Sequence, residues 1–545
     1  ASCRPLFRWG LSSDGCREPD YELEVDDSCS TPGFGSCDFS SPEIDTRISA
    51  WRSWRPLHPL RAVSDVPVGR RYYWRVRSCR GDACSVWSSV RYVDVGRVGA
   101  DFNGDGYSDL AVGAPIARGV GAGEGRVFVY EGGAGGPPSS PSQSVDNPEP
   151  PGSGRYAFGR ALATADYNAD GFADLAVGFG NGVRVVVLNG GPTGLDWGLS
   201  TDIWEPGLNP SVSFGAVSAA VGDLDADGFA DLAVGAATDT WDYYAEGALY
   251  VYLGGPAGPR PEFTALLRSP TAAAYANLSI ALGAAGDVDG DGYSDLLAGA
   301  RLPNPDGGIG HVFVYLGDRW GVSTADPIVL RHGLDEVEMS GVEFGRAVGT
   351  AGDADGDGFA DVVVGVRSRG MGWTFLFAGV DGGLGRTPSA IVAGTDERAV
   401  LGYAVASCGD ANADGFSDVL VGLPEWQEAS PSIPGRAVVF PGRPEGLDWA
   451  DALVVDQEAP QLGDGFGETL ACAGDLDGDG YSDIVIGAPR YRGSFLDEGR
   501  AQVVLGSSSG LGSGRSTVLV NPSGSTAGFG TAFAGTPPVA PTVEP

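Results

Sequence analysis

Lysine does not occur in the 545 residues, and histidine occurs three times, as His58, His311 and His332. Arginine carries all the side-chain positive charge, and 35 basic residues face 71 acidic ones for a net charge of −36. That balance excludes the basic patches that track a phosphate backbone, so no nucleic-acid partner is expected. With so little histidine and no C-x-x-C pair, a zinc site is excluded as well. No apolar run approaches the roughly 20 residues of a membrane-spanning helix, so no transmembrane segment is expected. No nucleophile motif is present either, and the reading is that the chain is not an enzyme. Long amphipathic periodicity is also lacking: apolar runs are short and broken by Gly, Pro, Asp and Asn.

What is abundant is glycine, 88 residues of it, together with aspartate. A turn-rich, all-β protein follows. The acid is organised. A nine-residue loop occurs as DFNGDGYSD from Asp101, DYNADGFAD from Asp166, DLDADGFAD from Asp223 and DVDGDGYSD from Asp287. It recurs as DADGDGFAD from Asp353, DANADGFSD from Asp410 and DLDGDGYSD from Asp475, the seven copies standing 57 to 66 residues apart. A β-rich repeat of that length points to the blades of a propeller, one loop to each. Before most loops stands a small-residue strand opened by Phe-Gly, as at Phe158-Gly159, Phe214-Gly215, Phe344-Gly345 and Phe466-Gly467. After each comes a short apolar strand ending in Gly, then an alternating strand such as Arg126 to Tyr130, then a less regular fourth.

These residues resemble the FG-GAP repeats of integrin α-subunit propellers over about residues 98 to 535. Gly113-Ala114-Pro115 and Gly487-Ala488-Pro489 fit the second half of that signature in full. Leu278-Ser279 and Leu401-Gly402 depart from its first half. The expected fold is a seven-bladed β-propeller of this type over 98–535, preceded by a small β-sandwich over 1–95 and followed by a Pro-rich tail or linker over 536–545. The first acidic loop lacks a Phe-Gly strand before it, whereas Gly528-Phe529-Gly530 near the far end has no acidic loop after it. Residues 528 to 535 are therefore expected to complete the first blade beside Leu110 to Val112, which removes exposed sheet edges at the seam.

The loop chemistry points to calcium. Oxygen-bearing side chains occupy positions 1, 3, 5 and 9, and the carbonyl of an aromatic at position 7 is a further donor. Calcium takes six to eight such oxygens in irregular geometry, whereas magnesium demands a stricter octahedron. The candidate ligands are Asp101, Asn103, Asp105, Tyr107 and Asp109 in loop one, and Asp166, Asn168, Asp170, Phe172 and Asp174 in loop two. Loop three offers Asp223, Asp225, Asp227, Phe229 and Asp231, and loop four Asp287, Asp289, Asp291, Tyr293 and Asp295. Loop five offers Asp353, Asp355, Asp357, Phe359 and Asp361, and loop six Asp410, Asn412, Asp414, Phe416 and Asp418. Loop seven offers Asp475, Asp477, Asp479, Tyr481 and Asp483. Position 6 is Gly in every copy, where a chain wrapping a small ion must turn sharply. An EF-hand would need Glu at position 12 and flanking helices; here position 12 is Val, Ala or Ile within an apolar strand. About seven Ca²⁺ are expected, since carboxylates packed this closely repel one another without a cation.

Residues 1 to 95 lack the repeat. Trp9, the Tyr21 strand, the Tyr72-Tyr73-Trp74-Arg75-Val76 strand and Trp87-Ser88-Ser89 resemble a fibronectin type III sandwich. Six of the eight cysteines fall here. Their even number and short separations predict disulfides Cys29–Cys37, Cys79–Cys84 and Cys3–Cys16 and an oxidising compartment. Arg80-Gly81-Asp82 between Cys79 and Cys84 reads as a turn. Cys408 and Cys472 occupy similar places in neighbouring repeats, either paired or as small apolar residues. The opening Ala1-Ser2-Cys3 is consistent with a mature end after signal cleavage.

The functional expectation is an extracellular, secreted or cell-surface binding or adhesion module for a protein or glycan. Trp241, Tyr243, Tyr244 and Trp426, in the variable loops after the second strand, are the candidate ligand surface. The alternatives are the substrate-recognition part of a secreted hydrolase or lyase, and a structural subunit of a surface assembly.

Overall fold

The computed structural model describes residues 97–535 apart from 118–124, 150–156, 181–183, 208–212, 271–273, 302–309, 325–326, 335–342, 368–370, 396–399, 413, 425–432, 509 and 512–514. In the N-terminal part it describes 7–8, 20–27, 37, 39–49, 53–54, 56, 60, 64, 66–80, 82–88 and 90–95. Among these residues the secondary structure is all strand, with no helix. No helix long and apolar enough to cross a membrane occurs among them.

Each acidic loop leads into the second strand of a four-stranded antiparallel sheet, in sheets two to seven joining it to the first strand, and the sheets are numbered here by the loop they carry. In sheet two the strands are Phe158–Ala165, Asp174–Phe179, Arg184–Asn189 and Asp196–Trp204, hydrogen-bonded in that order. Sheets two to seven are each built from four strands in chain order, a short two-stranded pair preceding the fourth strand in sheets four and five. Sheet one is not: Leu110–Ala114, Arg126–Tyr130 and Gln143–Asp146 take their fourth member, Ala532–Ala534, from the far end of the propeller. The register pairs Ala532 with Gly113, Phe533 with Val112 and Ala534 with Ala111.

The second and third strands read as unbroken apolar runs because each sheet is covered on both faces by its neighbours. A buried cluster lies between every consecutive pair. Between sheets one and two, Val127 and Val129 meet Leu175 and Val177. Between seven and one, Val485 and Val503 meet Leu110, Val112 and Phe128. The sheets thus follow one another in a circle, the arrangement of a β-propeller.

The Phe-Gly and Gly-Ala signatures meet across sheet boundaries. The aromatic or leucine, Phe158, Phe214, Leu278, Phe344, Leu401, Phe466 or Phe529, is at most 1% exposed. The residue after it turns with positive φ and aims its carbonyl at the glycine ending the preceding sheet's second strand. A Cβ on Gly113 would stand 2.1 Å from the Gly159 carbonyl oxygen, and one on Gly178 2.0 Å from that of Gly215. Side chains are excluded there by backbone. Ser279 adopts the same turn at φ 72 without being glycine. Its hydroxyl accepts the Ala236 N–H at 3.1 Å and donates to the Ala248 carbonyl at 2.7 Å, which holds the strained backbone in place.

The N-terminal unit has its own core of Phe7, Leu23, Val25, Ile48, Leu60, Tyr72, Val93 and Val95. Arg70–Arg80 is the hub of its larger sheet, paired with Asp20–Asp26 on one side and with Ala83–Cys84 and Arg91–Val95 on the other. Phe7–Arg8 and Ser53–Trp54 form a separate pair. Cys79 and Cys84 are joined by a disulfide across a tight hairpin. The pairs expected for Cys29–Cys37 and Cys3–Cys16 include residues outside the described set. Cys408 and Cys472 carry thiols and touch across the boundary of sheets six and seven, the Cys472 Sγ lying 3.5 Å from the Cys408 carbonyl oxygen.

Candidate metal centre

Each acidic loop is held by its own carboxylates. The position 5 carboxylate accepts the position 7 N–H at 2.9–3.1 Å in all seven copies. The position 3 side chain accepts the position 5 N–H at 2.8–3.3 Å. In six copies position 1 accepts the N–H of the position 6 glycine at 2.8–2.9 Å. These glycines have φ between 87° and 96°, the conformation their sequence position calls for. Position 4 is also left-handed, at Gly104, Ala169, Ala226, Gly290, Gly356 and Gly478.

Position 9 has a second task that its spacing does not reveal. One oxygen accepts the position 2 N–H, and the other accepts the N–H of a glycine just past the third strand, all at 2.7–3.0 Å. The first set runs from Phe102, Tyr167, Leu224, Val288, Ala354, Ala411 and Leu476. The second runs from Gly132, Gly190, Gly254, Gly317, Gly379, Gly442 and Gly506. The carboxylate therefore ties the loop to the third strand. Each of its oxygens keeps a second lone pair for a cation.

Carboxylate oxygens converge. One oxygen each from Asp223, Asp225 and Asp231 lie within 4.8 Å of one another, as do those of Asp287, Asp289 and Asp291, and those of Asp353, Asp355 and Asp357. Burial first, with repulsion from neighbouring carboxylates, pushes Asp109, Asp295 and Asp361 up to about 8 and Asp223 and Asp287 up to about 7. Asp174 and Asp231 are raised well above the usual carboxylate range for the same reasons. Groups so placed resist ionisation unless a cation offsets the charge, and an all-oxygen donor set of this density suits a hard divalent ion. Loops one and two have Asn at position 3, whose amide N–H donates to Asp105 at 3.1 Å and to Asp170 at 2.9 Å. In loop seven the Arg515 guanidinium spans Asp477 and Asp479.

The loops are also joined to one another. In loops two to six the position 8 N–H donates to the position 1 carbonyl of the loop before it: Ala173 to Asp101, Ala230 to Asp166, Ser294 to Asp223, Ala360 to Asp287 and Ser417 to Asp353. Ser108 donates to Asp475 at 3.0 Å, which carries the chain of bonds across the seam. Where position 4 is Gly, the next loop's position 7 ring lies on it. A Cβ on Gly104 would stand 2.5 Å from Phe172, one on Gly290 2.5 Å from Phe359, one on Gly356 2.5 Å from Phe416, and one on Gly478 2.6 Å from Tyr107. The aromatic at position 7 thus has a packing role besides its carbonyl.

The loop after each second strand lies at the opposite end of the sheet, because antiparallel strands reverse. In sheet three this loop carries Trp241, half-buried with the Arg268 guanidinium 5.1 Å from its ring centroid, and Tyr243 and Tyr244, which are exposed. Tyr244 meets Tyr275 edge-on at 5.1 Å. Tyr275, 54% exposed, comes from the connection to sheet four; no local pattern in the sequence links it to Tyr244. Trp426 lies outside the described residues.

Comparison with known proteins finds the same repeat in the sequence. Residues 96–130 and 466–504 match the FG-GAP repeat family, and residues 166–234 match the FG-GAP-like repeat. Mouse integrin alpha-IIb is 35% identical over 173 residues, 30% of this chain and 16% of the relative. Human integrin alpha-8 is 29% identical over 217 residues, 38% of this chain and 19% of the relative. The chain thus spans less than a fifth of these relatives. Among solved structures, the Dos1 propeller aligns at a TM-score of 0.33 and 11% identity, over 66% of this chain and 70% of that one. Over these residues the chain matches FG-GAP repeats and is similar in sequence to integrin α-subunits.

Proposed function

We propose that this is an extracellular calcium-binding propeller of seven blades, 98–535, that presents a surface for a protein or glycan ligand and is preceded by a fibronectin type III-like sandwich. The observation that carries it is the convergence of three carboxylates in each of loops three, four and five. Positions 1, 3, 5 and 9, with the position 7 carbonyl, would hold the ion; its charge offsets carboxylates that burial and mutual repulsion otherwise hold near neutrality. Calcium supplies rigidity here, not chemistry. Loop seven is expected to be the weakest site, because a cation there shares Asp477 and Asp479 with Arg515. On the opposite face, the exposed edges of Tyr243, Tyr244 and Tyr275 offer aromatic contact area of the kind that dominates recognition.

Elemental analysis of protein dialysed against calcium, with thermal melts in calcium and in EDTA, tests the metal reading. At free calcium tenfold above Kd each site adds roughly 1.4 kcal/mol. Seven sites then supply on the order of 10 kcal/mol, comparable to a domain's net stability. An unchanged melt in EDTA with no bound metal overturns it. Glycan and protein arrays probed with and without EDTA test the binding role: retention lost with Tyr244→Ala places the surface, and retention unaffected by substitution at both Tyr244 and Tyr275 rejects it.

A further inference from the structure

The N-terminal unit is more than a neighbour in sequence: it lies on the acidic-loop face. At loop one the Val68 N–H donates to the Gly104 carbonyl at 2.9 Å. A Cβ on Gly104 would stand 3.0 Å from the Pro67 Cα, and one on Gly106 3.1 Å from Val68. At loop two Arg97 lies 3.5 Å from both Asp94 and Asp166, and Gly171 faces Pro67 and Arg97. At loop three Arg71, gripped by Asp94 at 2.9 and 2.8 Å, donates to the Gly228 carbonyl at 2.6 Å. At loop four Arg91 donates to the carbonyls of Asp291, at 2.6 Å, and Gly292, and lies 5.1 Å from the Tyr293 ring centroid.

The coverage is graded. Gly104 and Gly228, at the tips of loops one and three, are buried; Gly292 in loop four is touched but exposed. At loop five Gly356 and Asp357 are exposed, and at loops six and seven no described residue lies within 4 Å of a Cβ placed on Gly415 or Gly480. The contact is also matched in charge. Arg71 and Arg91 of the N-terminal unit meet carbonyls of an acidic face, and Arg97, in the connection, meets a carboxylate.

We infer that the N-terminal unit is a cap on the metal-loop face, closing loops one to four while loops five to seven stay open, so that bound calcium falls into a slowly and a rapidly exchanging class. This rests on the calcium reading above. The physical reason is local. An ion leaves such a loop when the tip, positions 4 to 6, swings outward and water enters. In loops one to three that tip is packed beneath Pro67, Val68, Arg71 and Arg97, and in loop four it is bonded to Arg91. The cap must lift first, and local opening then limits release.

The test uses the full chain loaded with calcium and mixed rapidly with a fluorescent chelator. The expected result is biphasic release with a slow amplitude of about four parts in seven, loop four at the rim being the fastest of the slow class. In R91A/R97A the slow phase should accelerate at least about tenfold, and the Val68 amide should lose hydrogen-exchange protection as its bond to Gly104 is released. Arg91→Ala alone, at the exposed rim, should move only about one site from the slow to the fast class. Asp410→Ala, in an open loop, should remove fast amplitude only. Single-phase release from the parent overturns the cap, as does an unchanged slow phase in a variant whose Val68 amide has become unprotected. If no metal is released at all, the calcium reading falls and the two classes fall with it, an outcome distinct from release in one phase.

Discussion

The seam between sheets seven and one gives the sharpest test of the ring. Phe529 is fully buried, its ring centroid 5.8 Å from that of Phe128 and 6.4 Å from that of Tyr130. It bridges to Gly499 of sheet seven as Phe158 bridges to Gly125 of sheet one. Phe214, its counterpart before sheet three, is also fully buried, 5.6 Å from Tyr250. If the far end of the chain closes the ring, the two phenylalanines do the same work. Phe529→Ala and Phe214→Ala should then each cost about 3–5 kcal/mol. A propeller of this size loses about 2 °C or less per kcal/mol, so both melts, recorded in calcium, should fall by roughly 5–10 °C. Ending the chain at Ser525 also exposes the Leu110–Ala114 edge and should produce aggregation during concentration. The reasoning fails if Phe529→Ala melts within about 1 °C of the parent while Phe214→Ala shows the full loss.

Position 4 of the acidic loops should respond oppositely to the same pair of residues. Gly478→Ala, at φ 73 with the Tyr107 ring in the way, should destabilise by about 2–4 kcal/mol. Ala226→Gly, at φ 55, should stabilise by about 0.5–1 kcal/mol, and melts of both variants check the sign. In chelator, stability should fall as pH rises. Asp109, Asp295 and Asp361 are raised to about 8, so the folded state binds more protons than the unfolded one between about pH 4 and 8. Melts in EDTA at pH 5 and 7.5 should show the loss, and saturating calcium should shrink it; a chelated protein more stable at pH 7.5 contradicts the assignment. Titrating thiols in denaturant without reductant should find two, Cys408 and Cys472, and a count of eight would contradict the oxidised N-terminal unit.

The repeat was legible in the sequence because its determinants are local. Nine residues fix each acidic loop through bonds spanning two to seven positions. The Phe-Gly segment at Gly528 stood out because every other such strand was followed by a loop. What was hidden depends on distant partners. Arg71 and Arg91 look like ordinary strand arginines, yet they meet carbonyls 157 and 201 residues away. Asp109 and its six equivalents read as metal ligands, while the glycine that each also binds, 16 to 24 residues on, sits in an unremarkable turn. Tyr275 gains meaning only from Tyr244, and their pairing needs two sheets to be in place.

The pairing of Ala532–Ala534 with sheet one joins residues about 420 positions apart, which has a consequence in time. A ribosome adding roughly 5–20 residues per second needs some 20–80 s to make the closing strand after the edge it must cover has emerged. During that interval Leu110–Ala114 offers a naked apolar ladder to any other nascent chain. Its brevity, five residues ending in Gly-Ala, limits how firmly a wrong strand can hold it. The strand of the ring that is made last is thus the one that covers its first edge.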